Sequence, residues 1–311
     1  MQTNQHWTDY WARGCLTSLP QDFAGNYDGE IAEFWNEQFS AVPDGGRILD
    51  LCTGNGAVIL LAARYMADSG KTLQLEAVDA ARVNPEAVAA QHPDQRSLLP
   101  RIRFHEPSPV ESLSLPDQSC DLVTSQYGIE YCDWEQAAAQ ISRLLRPGGR
   151  FALVSHAVSS DILKTMEKES HEYAVLELAG FFEATPVFLT GALSYRQYHT
   201  CLQQTLQRVE AAGSSPLLTM LRGTLTQILS LDEAGLQRHL DNLQRFYGEM
   251  RSGRDRLNDM LRVNRAIQQD PDWTSVFQRH GLLAAESGEL LYRGRNHAGK
   301  FACFTRPEYP A

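Results

Sequence analysis

Between residues 47 and 156, short apolar runs alternate with helical segments, and this alternation restricts the fold more than any other feature of the sequence. Two amphipathic segments, at 57–67 and 135–145, are predicted helices. The predicted strands are five short runs at 47–51, 73–78, 101–105, 121–125 and 151–156. Strands that alternate with helices form a parallel sheet with helices on both faces. The alternation therefore predicts an α/β domain.

A long helical region interrupts this pattern after the fifth predicted strand. Residues 160–270 are predicted to be almost wholly helix, with breaks at Gly213 and at Ser252-Gly253. The apolar faces of these helices are too extensive to stay in water. We therefore expect the insertion to form either a cap over the substrate or the interface of a homodimer.

The remaining patterns complete the division of the chain. Residues 5–13 and 28–40 are predicted N-terminal helices, and strand patterns at 283–292 and 300–305 predict a closing β-hairpin. The sequence thus predicts three segments, which are N-terminal helices with an α/β core at 1–159, the helical insertion at 160–270, and a last helix with the hairpin at 271–311.

The turn after the first predicted strand, in ILDLCTGNG at residues 48–56, restricts the ligand of the domain. A dinucleotide fingerprint that starts at Gly54 needs a glycine five positions later, where helix and strand pack closely, and Ile59 stands there. The Gly-Lys-Ser/Thr of a P-loop does not follow either. The turn therefore disfavours a nicotinamide dinucleotide and a nucleotide phosphate.

Two acids near this turn indicate a nucleoside without phosphates. Asp79 ends the second predicted strand, where a carboxylate can accept hydrogen bonds from both hydroxyls of a ribose. Asp50 directly precedes the turn, where an acid suits an ammonium group, and Gly54 and Gly56 allow close approach to the backbone. S-adenosylmethionine combines a ribose with an amino-acid end. The pattern therefore predicts S-adenosylmethionine as the cofactor.

These segments, in this order, resemble the class I S-adenosylmethionine-dependent methyltransferases. DLCTGNG matches the first motif of the family, with Cys52 at the place of its first glycine, and Asp79 matches its second-strand acid. PVESLSLPD aligns with the segment that meets the adenine, with Pro109 in place of the usual acid. CDLVTSQYG and LLRPGGRFALVSH match later segments. The resemblance covers residues 27–158 and 272–306 and leaves the helical insertion unmatched.

The resemblance implies a Rossmann-like core with a mostly parallel seven-stranded sheet, a C-terminal β-hairpin and methyl transfer from S-adenosylmethionine. Because Pro109 replaces the acid, the Val110 backbone and Glu111 are expected to meet the adenine. The implied cofactor-binding residues are Asp50, Cys52, Gly54, Asn55, Gly56, Asp79, Ala80, Val110, Glu111, Ser125, Gln126 and Tyr127.

The acceptor side of the site should lie at the carboxyl ends of the fourth and fifth predicted strands, in SQYGIEYCDW and SHAVSSD. Methyl transfer depends mainly on holding the reacting atoms in line, and a base is needed only for a protonated amine or a hydroxyl. Glu130 could orient a cationic or amine acceptor, and His156 could take a proton. They are the candidate catalytic residues, with ordinary capping or strand-end roles as the alternative.

The N-terminal helices are expected to close the cofactor pocket with their aromatic side chains. Tyr10 and Trp11 lie in the first of these segments, and Tyr27 directly precedes the second. Tyr127, after the fourth predicted strand, is expected in the wall of the same pocket.

Composition restricts the partners and the location. The formal net charge of −10 disfavours a nucleic-acid partner, because phosphate binding needs a basic face. The sequence has neither an apolar run that could cross a bilayer nor a signal peptide, so we expect a cytoplasmic protein without a membrane partner. The six cysteines and nine histidines show no zinc-ligand spacing, so no metal site is predicted, and the scattered thiols are expected to be buried apolar residues.

The favoured function is methyl transfer to a small-molecule acceptor, and three alternatives stay open. A methyltransferase that acts on protein or RNA would have an open cleft or a basic groove. A regulatory or assembly protein could bind S-adenosylmethionine without catalysis. An oxidoreductase, the most distant alternative, would bind a nicotinamide cofactor.

Overall fold

The computed structural model describes residues 4–18, 23, 25–157, 160–294 and 296–308 of the chain. The chain divides into two compact units, one formed by Met1–Val158 with Val263–Ala311 and the other by Ser159–Arg262. The boundary at Arg262 falls inside a long helix, whereas the sequence pattern placed the end of the insertion at 270. Residues 158 and 159, in the predicted acceptor-side segment SHAVSSD, lie outside the described residues.

The first unit contains a seven-stranded sheet. The strands are β1 Arg47–Leu51, β2 Gln74–Val78, β3 Ile102–Phe104, β4 Cys120–Gln126, β5 Leu145–Ser155, β6 Leu283–Tyr292 and β7 Asn296–Thr305. Their order in the sheet is β3-β2-β1-β4-β5-β7-β6. Strands β1 to β5 are parallel, and β7 is antiparallel to both β5 and β6. The predicted parallel sheet and closing hairpin are therefore confirmed.

Helices connect and cover these strands. A helix that the sequence analysis missed, Pro85–Gln91, begins with proline in its first turn, and the side chain of Asn84 accepts a hydrogen bond from the backbone N–H of Ala87. The helices of this unit are α1 Gln5–Trp11, α2 Gly29–Ser40, α3 Ala57–Ser69, α4 Pro85–Gln91, α5 Trp134–Leu144 and α12 Ser275–Arg279. Three single turns of 3-10 helix lie at Leu99–Arg101, Val110–Ser112 and Ile129–Tyr131.

Both faces of the sheet are buried, which explains why the consecutive β1 residues Ile48 and Leu49 are both apolar. Successive strand residues point to opposite faces. Ile48 packs in a core with Ile31 and Trp35 from α2, whereas Leu49 packs in a second core with Ile141 from α5 and Phe277 from α12. The carboxyl ends of the strands are thus held on a rigid layered scaffold.

The second unit consists of helices. Gly213 lies between the helices Tyr195–Ala211 and Pro216–Leu229, as predicted. The predicted break at Ser252-Gly253 is wrong, because both residues lie inside the helix Leu240–Gln269. A Cβ atom at Gly253 would overlap the hydroxyl of Tyr173, so this glycine makes room for a neighbouring helix. The helices are α6 Ser160–Leu178, α7 Phe181–Leu189, α8 Tyr195–Ala211, α9 Pro216–Leu229, α10 Glu233–Arg238 and α11 Leu240–Gln269, which continues into the first unit.

Aromatic side chains form the interior of the helical unit. Phe181 and Tyr198 are fully buried, and the Tyr198 ring stacks on Phe188 with ring centroids 4.3 Å apart. Across the described residues of the chain, none of the helices has the length and apolar character needed to cross a membrane.

Candidate functional site

The glycine turn between β1 and α3 has an unusual backbone conformation. Cys52, Gly54 and Gly56 have φ angles of 53°, 54° and 91°, in the left-handed region. Glycine adopts this region without strain, and Gly56 at the start of α3 turns the chain into the helix. A Cβ atom at Gly54 would overlap the ring of Trp11, so that position also needs glycine for space.

Asp79 directly follows β2 and braces the glycine turn. Its Oδ2 accepts a hydrogen bond of 2.8 Å from the backbone N–H of Gly54, and its Oδ1 accepts one of 2.7 Å from Ala81. Desolvation raises the pKa of this carboxyl group. Each carboxylate oxygen has a second lone pair, and Asp79 is partly exposed, so the side chain can still accept hydrogen bonds from ribose hydroxyls. Asp79 therefore fits a nucleoside cofactor.

Asp50, in contrast, is 1% exposed and already hydrogen-bonded on both oxygens. Thr53 Oγ1 donates to it at 2.6 Å and Thr124 Oγ1 donates at 2.7 Å. Burial raises the pKa of Asp50 to about 7, and the nearby charge of Asp79 contributes in the same direction. Asp50 therefore ties the glycine turn to β4, and a bound cation would favour its charged form.

The raised pKa of Asp50 predicts that the protein loses stability as the pH rises. Between the ordinary pKa of 3.8 and the folded value of about 7, the folded protein keeps a proton that the unfolded chain releases. The free energy of unfolding should therefore fall over this range, by up to about 4 kcal/mol. Asp50→Asn cannot ionise and should lack this contribution. Urea unfolding of the wild type and of Asp50→Asn at about pH 5 and about pH 8 measures the contribution of Asp50 to the free energy of unfolding. An equal pH dependence in both proteins would contradict a raised pKa for Asp50.

The N-terminal segment is tied to the glycine turn by Asn55, which is fully buried. Asn55 Nδ2 donates to the carbonyls of Trp11 and Cys15 at 2.9 and 2.8 Å, and its Oδ1 accepts from the N–H of Asn84 at 2.8 Å. The side chain of Asn55, a predicted cofactor-binding residue, thus makes its hydrogen bonds to the backbone of the protein. Of the predicted pocket aromatics, Trp11 contacts the turn directly.

Two other aromatic residues of that prediction lie near the turn. Tyr10 donates from its hydroxyl to the carbonyl of Thr17 at 2.9 Å. Tyr27 packs edge-on against Tyr127, with ring centroids 6.4 Å apart, and burial raises the pKa of Tyr27 to about 12. Tyr27 is therefore neutral at physiological pH.

Ser125 and Gln126, the last residues of β4, hold the chain around them. Ser125 Oγ accepts from the N–H of Ile129 at 3.1 Å, and Gln126 Oε1 accepts from Trp35 Nε1 at 2.5 Å. Tyr127 follows with a left-handed φ of 52° and donates its hydroxyl to the carbonyl of Ala298. These contacts shape the turn that carries the acceptor-side residues.

The segment predicted to meet the adenine forms the 3-10 turn Val110–Ser112. Val110 is buried, and Glu111 Oε1 accepts from the N–H of Asp133 at 2.8 Å. Ala80, next to Asp79, is partly exposed. The backbone of this segment therefore lies near the turn after β4, and its contact with adenine stays a prediction.

The structure brings Glu130 and His156 together. Glu130 Oε1 lies 2.7 Å from His156 Nδ1 and also accepts from the backbone N–H of His156 at 3.1 Å. The side chain of Glu130 is fully buried and that of His156 is 17% exposed. The His156 ring lies on Tyr127, with ring centroids 4.8 Å apart.

The second carboxylate oxygen of Glu130 is buried and has no hydrogen-bond partner among the described residues. A buried unpaired acceptor costs about 1–3 kcal/mol, and more when it carries charge. Such an atom therefore marks a place where a bound group with a hydrogen to donate would be stabilised.

All these residues lie at one edge of the sheet. β1 and β4 are parallel neighbours, and the chain adds β2 on the far side of β1 but β5 on the far side of β4. The order of the strands therefore reverses between β1 and β4. Ligands of open parallel sheets bind in the crevice at this switch point, outside the carboxyl ends of the strands. Asp79 lies on one side of that crevice, and Glu130 and His156 lie on the other.

The cysteines differ in exposure. The expectation that the scattered thiols are buried is wrong for Cys15, Cys52, Cys132 and Cys201, which are partly exposed, and right for Cys120 and Cys303.

The sequence analysis did not predict the contact between two of these cysteines. Cys52 and Cys132 lie side by side. Residues this far apart along the chain give no local signal of contact, because only the strand order brings them together.

Part of the chain that contains these strands and turns is similar to known proteins. Residues 48–149 match a family model described as a methyltransferase domain. The ubiquinone/menaquinone biosynthesis C-methyltransferase UbiE of Azotobacter vinelandii is 26% identical over 157 residues, which are 49% of this chain and 60% of that protein. The protein of the same name from Stutzerimonas stutzeri is 25% identical over 195 residues, 60% of this chain and 72% of that protein. The chain thus spans about three fifths of the length of the first of these relatives.

Two solved structures align over most of the chain. One is a putative S-adenosyl-L-methionine-dependent methyltransferase of Methanococcus maripaludis, with a TM-score of 0.45, 14% identity, and coverage of 91% of this chain and 86% of that one. The other is a TehB-like S-adenosylmethionine-dependent methyltransferase of Corynebacterium glutamicum, with a TM-score of 0.43, 14% identity, and coverage of 98% and 100%. Scores of this size say nothing about function.

The sequence match includes the glycine turn, Asp79 and the whole of β4. The sheet has the strand number, direction and closing hairpin that the resemblance implied. Residues 48–149 therefore form a methyltransferase domain, and S-adenosylmethionine is the cofactor that this domain implies.

Proposed function

We propose that this protein transfers a methyl group from S-adenosylmethionine to a small-molecule acceptor that gives up a proton. The observation that carries the proposal is the contact between the buried Glu130 and the partly exposed His156, together with the one carboxylate oxygen of Glu130 that has no partner among the described residues. A carboxylate in contact with an imidazole can orient an acceptor and pass the proton that it loses to the imidazole.

Asp79 has the cofactor-binding role in this proposal. Its carboxylate holds the ribose hydroxyls, while its existing bonds to Gly54 and Ala81 keep the glycine turn in shape. The pKa values of the Asp50 and Asp79 carboxyls are raised by burial, and the sulfonium and ammonium groups of a bound cofactor would favour their charged forms. When bound, S-adenosylmethionine supplies an electrophilic methyl group.

Glu130 and His156 have the acceptor-side roles. When His156 Nδ1 carries the ring proton, it donates to Glu130 Oε1, and Nε2 is left as the basic nitrogen. Glu130 Oε2 accepts a hydrogen bond from the acceptor and orients it, and His156 Nε2 takes the proton that the acceptor loses. The aromatic face of Tyr127 supports the imidazole ring.

A ring carbon as acceptor is the second candidate. It is supported by the names of the curated relatives, which are C-methyltransferases of quinone biosynthesis. The net charge of −10 argues against RNA as the acceptor. Location in the cytoplasm stays a prediction.

The proposed activity is tested with S-adenosylmethionine that carries a labelled methyl group. The labelled cofactor and the protein are incubated with separate panels of small amines, alcohols and phenols, quinone-ring precursors, and with bulk protein and RNA. We expect label in one small-molecule panel. Label in protein or RNA alone would contradict the small-molecule proposal, and S-adenosylhomocysteine binding without transfer to any panel would favour a regulatory role.

We further propose that the helical unit either selects the methyl acceptor or forms the interface of a homodimer. Cofactor binding does not require this unit. The residues proposed to hold the cofactor all lie between Asp50 and Tyr127, in the other unit. A variant with residues 159–262 replaced by a Gly/Ser linker should bind S-adenosylhomocysteine with nearly unchanged affinity, provided that circular dichroism shows it folded. Activity on the identified acceptor should be lost. A folded variant with full activity, and a change from dimer to monomer in light scattering, would leave dimerisation as the role of this unit.

A further inference from the structure

Two cysteine thiols lie in contact beside the site, and neither sulfur has a role in the proposed methyl transfer. Cys52 Sγ and Cys132 Sγ are 3.7 Å apart, although the residues are 80 positions apart along the chain. Cys52 lies in the glycine turn after β1, and Cys132 directly follows the 3-10 turn that carries Glu130. Both side chains are partly exposed, so a small oxidant can reach them.

The two sulfurs lie in contact, in the turns that follow β1 and β4. β1 and β4 pair directly, and the crevice opens at the carboxyl ends of these two strands. The backbones there are also close, because a Cβ atom at Gly128 would overlap Cys52 Cβ. Glycine at position 128 therefore lets the turn after β4 approach the glycine turn.

We propose that Cys52 and Cys132 are a site of reversible oxidation, where a disulfide across the crevice prevents S-adenosylmethionine from binding. A disulfide needs a sulfur–sulfur distance of about 2.0 Å, so the present 3.7 Å must shorten by side-chain rotation and a small approach of the two turns. That approach narrows the crevice between Gly54 and the turn that carries Glu130. The effect on the cofactor rests on the proposed function, whereas formation of the bond does not.

A small-molecule disulfide of the oxidised glutathione type is a sufficient oxidant. One protein thiol loses its proton to water and attacks a sulfur of the small disulfide, which forms a mixed disulfide and releases one small thiolate. The other protein thiolate then attacks the protein sulfur of the mixed disulfide and releases the second small thiolate. The protein thiols lose two electrons in total, and the small disulfide gains them.

The environment of Cys52 predicts how the rate of this exchange depends on pH. The contact with Cys132 and burial raise the pKa of the Cys52 thiol, so little of it is thiolate at neutral pH. Exchange should therefore be slow at neutral pH and faster under alkaline conditions. A reducing compartment would keep the pair as thiols.

The test compares the wild type with Cys132→Ser and with a matched control, Cys201→Ser, in the helical unit. Each protein is treated with oxidised glutathione, its free thiols are blocked with N-ethylmaleimide, and its tryptic peptides are mapped by mass spectrometry. Cys120 and Cys132 fall in one tryptic peptide, so Cys132→Ser also shows which of them forms the bond. Affinity for S-adenosylhomocysteine is measured by calorimetry before oxidation, after it, and after reduction with dithiothreitol.

We expect a linked peptide that contains Cys52 and Cys132 in the wild type and in Cys201→Ser. Their affinity should fall at least about tenfold on oxidation and recover on reduction, while Cys132→Ser should keep its affinity throughout. Failure to find the linked peptide would overturn the proposed bond, and a bond with unchanged affinity would overturn the closure. If the reduced protein does not bind S-adenosylhomocysteine, the proposed function and the closure both fail, and the peptide map alone decides whether the bond exists.

Discussion

Replacing Asp79 with Ala should weaken the binding of S-adenosylhomocysteine about 10- to 150-fold. The substitution removes a charged acceptor from the ribose hydroxyls, which costs about 1.5–3 kcal/mol. It also removes the bonds that Asp79 Oδ2 and Oδ1 accept from Gly54 and Ala81, so the glycine turn loses its brace. Calorimetry on both proteins measures the loss.

The control for this variant is Asp94→Ala, which removes an exposed carboxyl whose ion pair with Arg64 is 4.0 Å long. It should bind with wild-type affinity. Asp79→Asn separates loss of the charge from loss of the hydrogen bonds, because an amide oxygen can still accept hydrogen bonds but carries no charge. Unchanged affinity in a folded Asp79→Ala protein would remove Asp79 from the cofactor site.

Replacing Glu130 with Gln or His156 with Gln should lower turnover of the identified acceptor by about 10²- to 10⁴-fold, the usual contribution of a positioned acid or base. Glu130→Gln keeps the side-chain volume but puts an amide where the unpaired oxygen meets the acceptor. His156→Gln removes the basic nitrogen. Initial rates with labelled S-adenosylmethionine measure both losses.

Cofactor binding separates this effect from misfolding, since both variants should bind S-adenosylhomocysteine as the wild type does. Glu135→Gln is the matched control. Glu135 lies on α5 close to the same turn, and its carboxylate is 60% exposed and paired with Arg279, so its loss should leave turnover unchanged. Normal turnover in both site variants would leave positioning of the reactants as the whole mechanism.

Much of the α/β core could be predicted from the sequence because its strands are buried on both faces. A strand such as β1 then has apolar residues at consecutive positions, Ile48 and Leu49, instead of at alternate ones, and a glycine-containing turn follows it. Strand β5 was predicted at 151–156 and begins at Leu145 instead. The Pro-Gly-Gly sequence at 147–149 is typical of a turn, but the structure extends the strand through it, next to a register shift between β4 and β5.

The errors in the helical regions have a similar cause. A Ser-Gly pair predicts a break in a helix, but tertiary packing decides whether the helix ends there. Gly253 lies inside α11 because Tyr173 occupies the space that a side chain would take. Helix α4 was overlooked although Asn84-Pro85 is a typical helix start.

The members of the site could be predicted from the sequence, but their contacts could not. Asp79 and His156 directly follow strands and Glu130 lies in the turn after β4, and the carboxyl ends of parallel strands lie at the same end of the sheet. Which atoms touch depends on the order of the strands and on side-chain rotamers. The contact between Glu130 and His156, the contact between Asn55 and the N-terminal segment, and the pairing of Cys52 with Cys132 are therefore findings of the structure alone.

The most direct test of the central claim is a crystal structure of the protein with S-adenosylhomocysteine bound. We expect the ribose hydroxyls within about 3 Å of the Asp79 carboxylate, the length of a hydrogen bond. The cofactor sulfur should lie in the crevice between the glycine turn and the turn that carries Glu130, and the unpaired Glu130 oxygen should face the space beside it. A ribose bound away from Asp79, or a sulfur on the far side of the sheet from Glu130 and His156, would contradict the account.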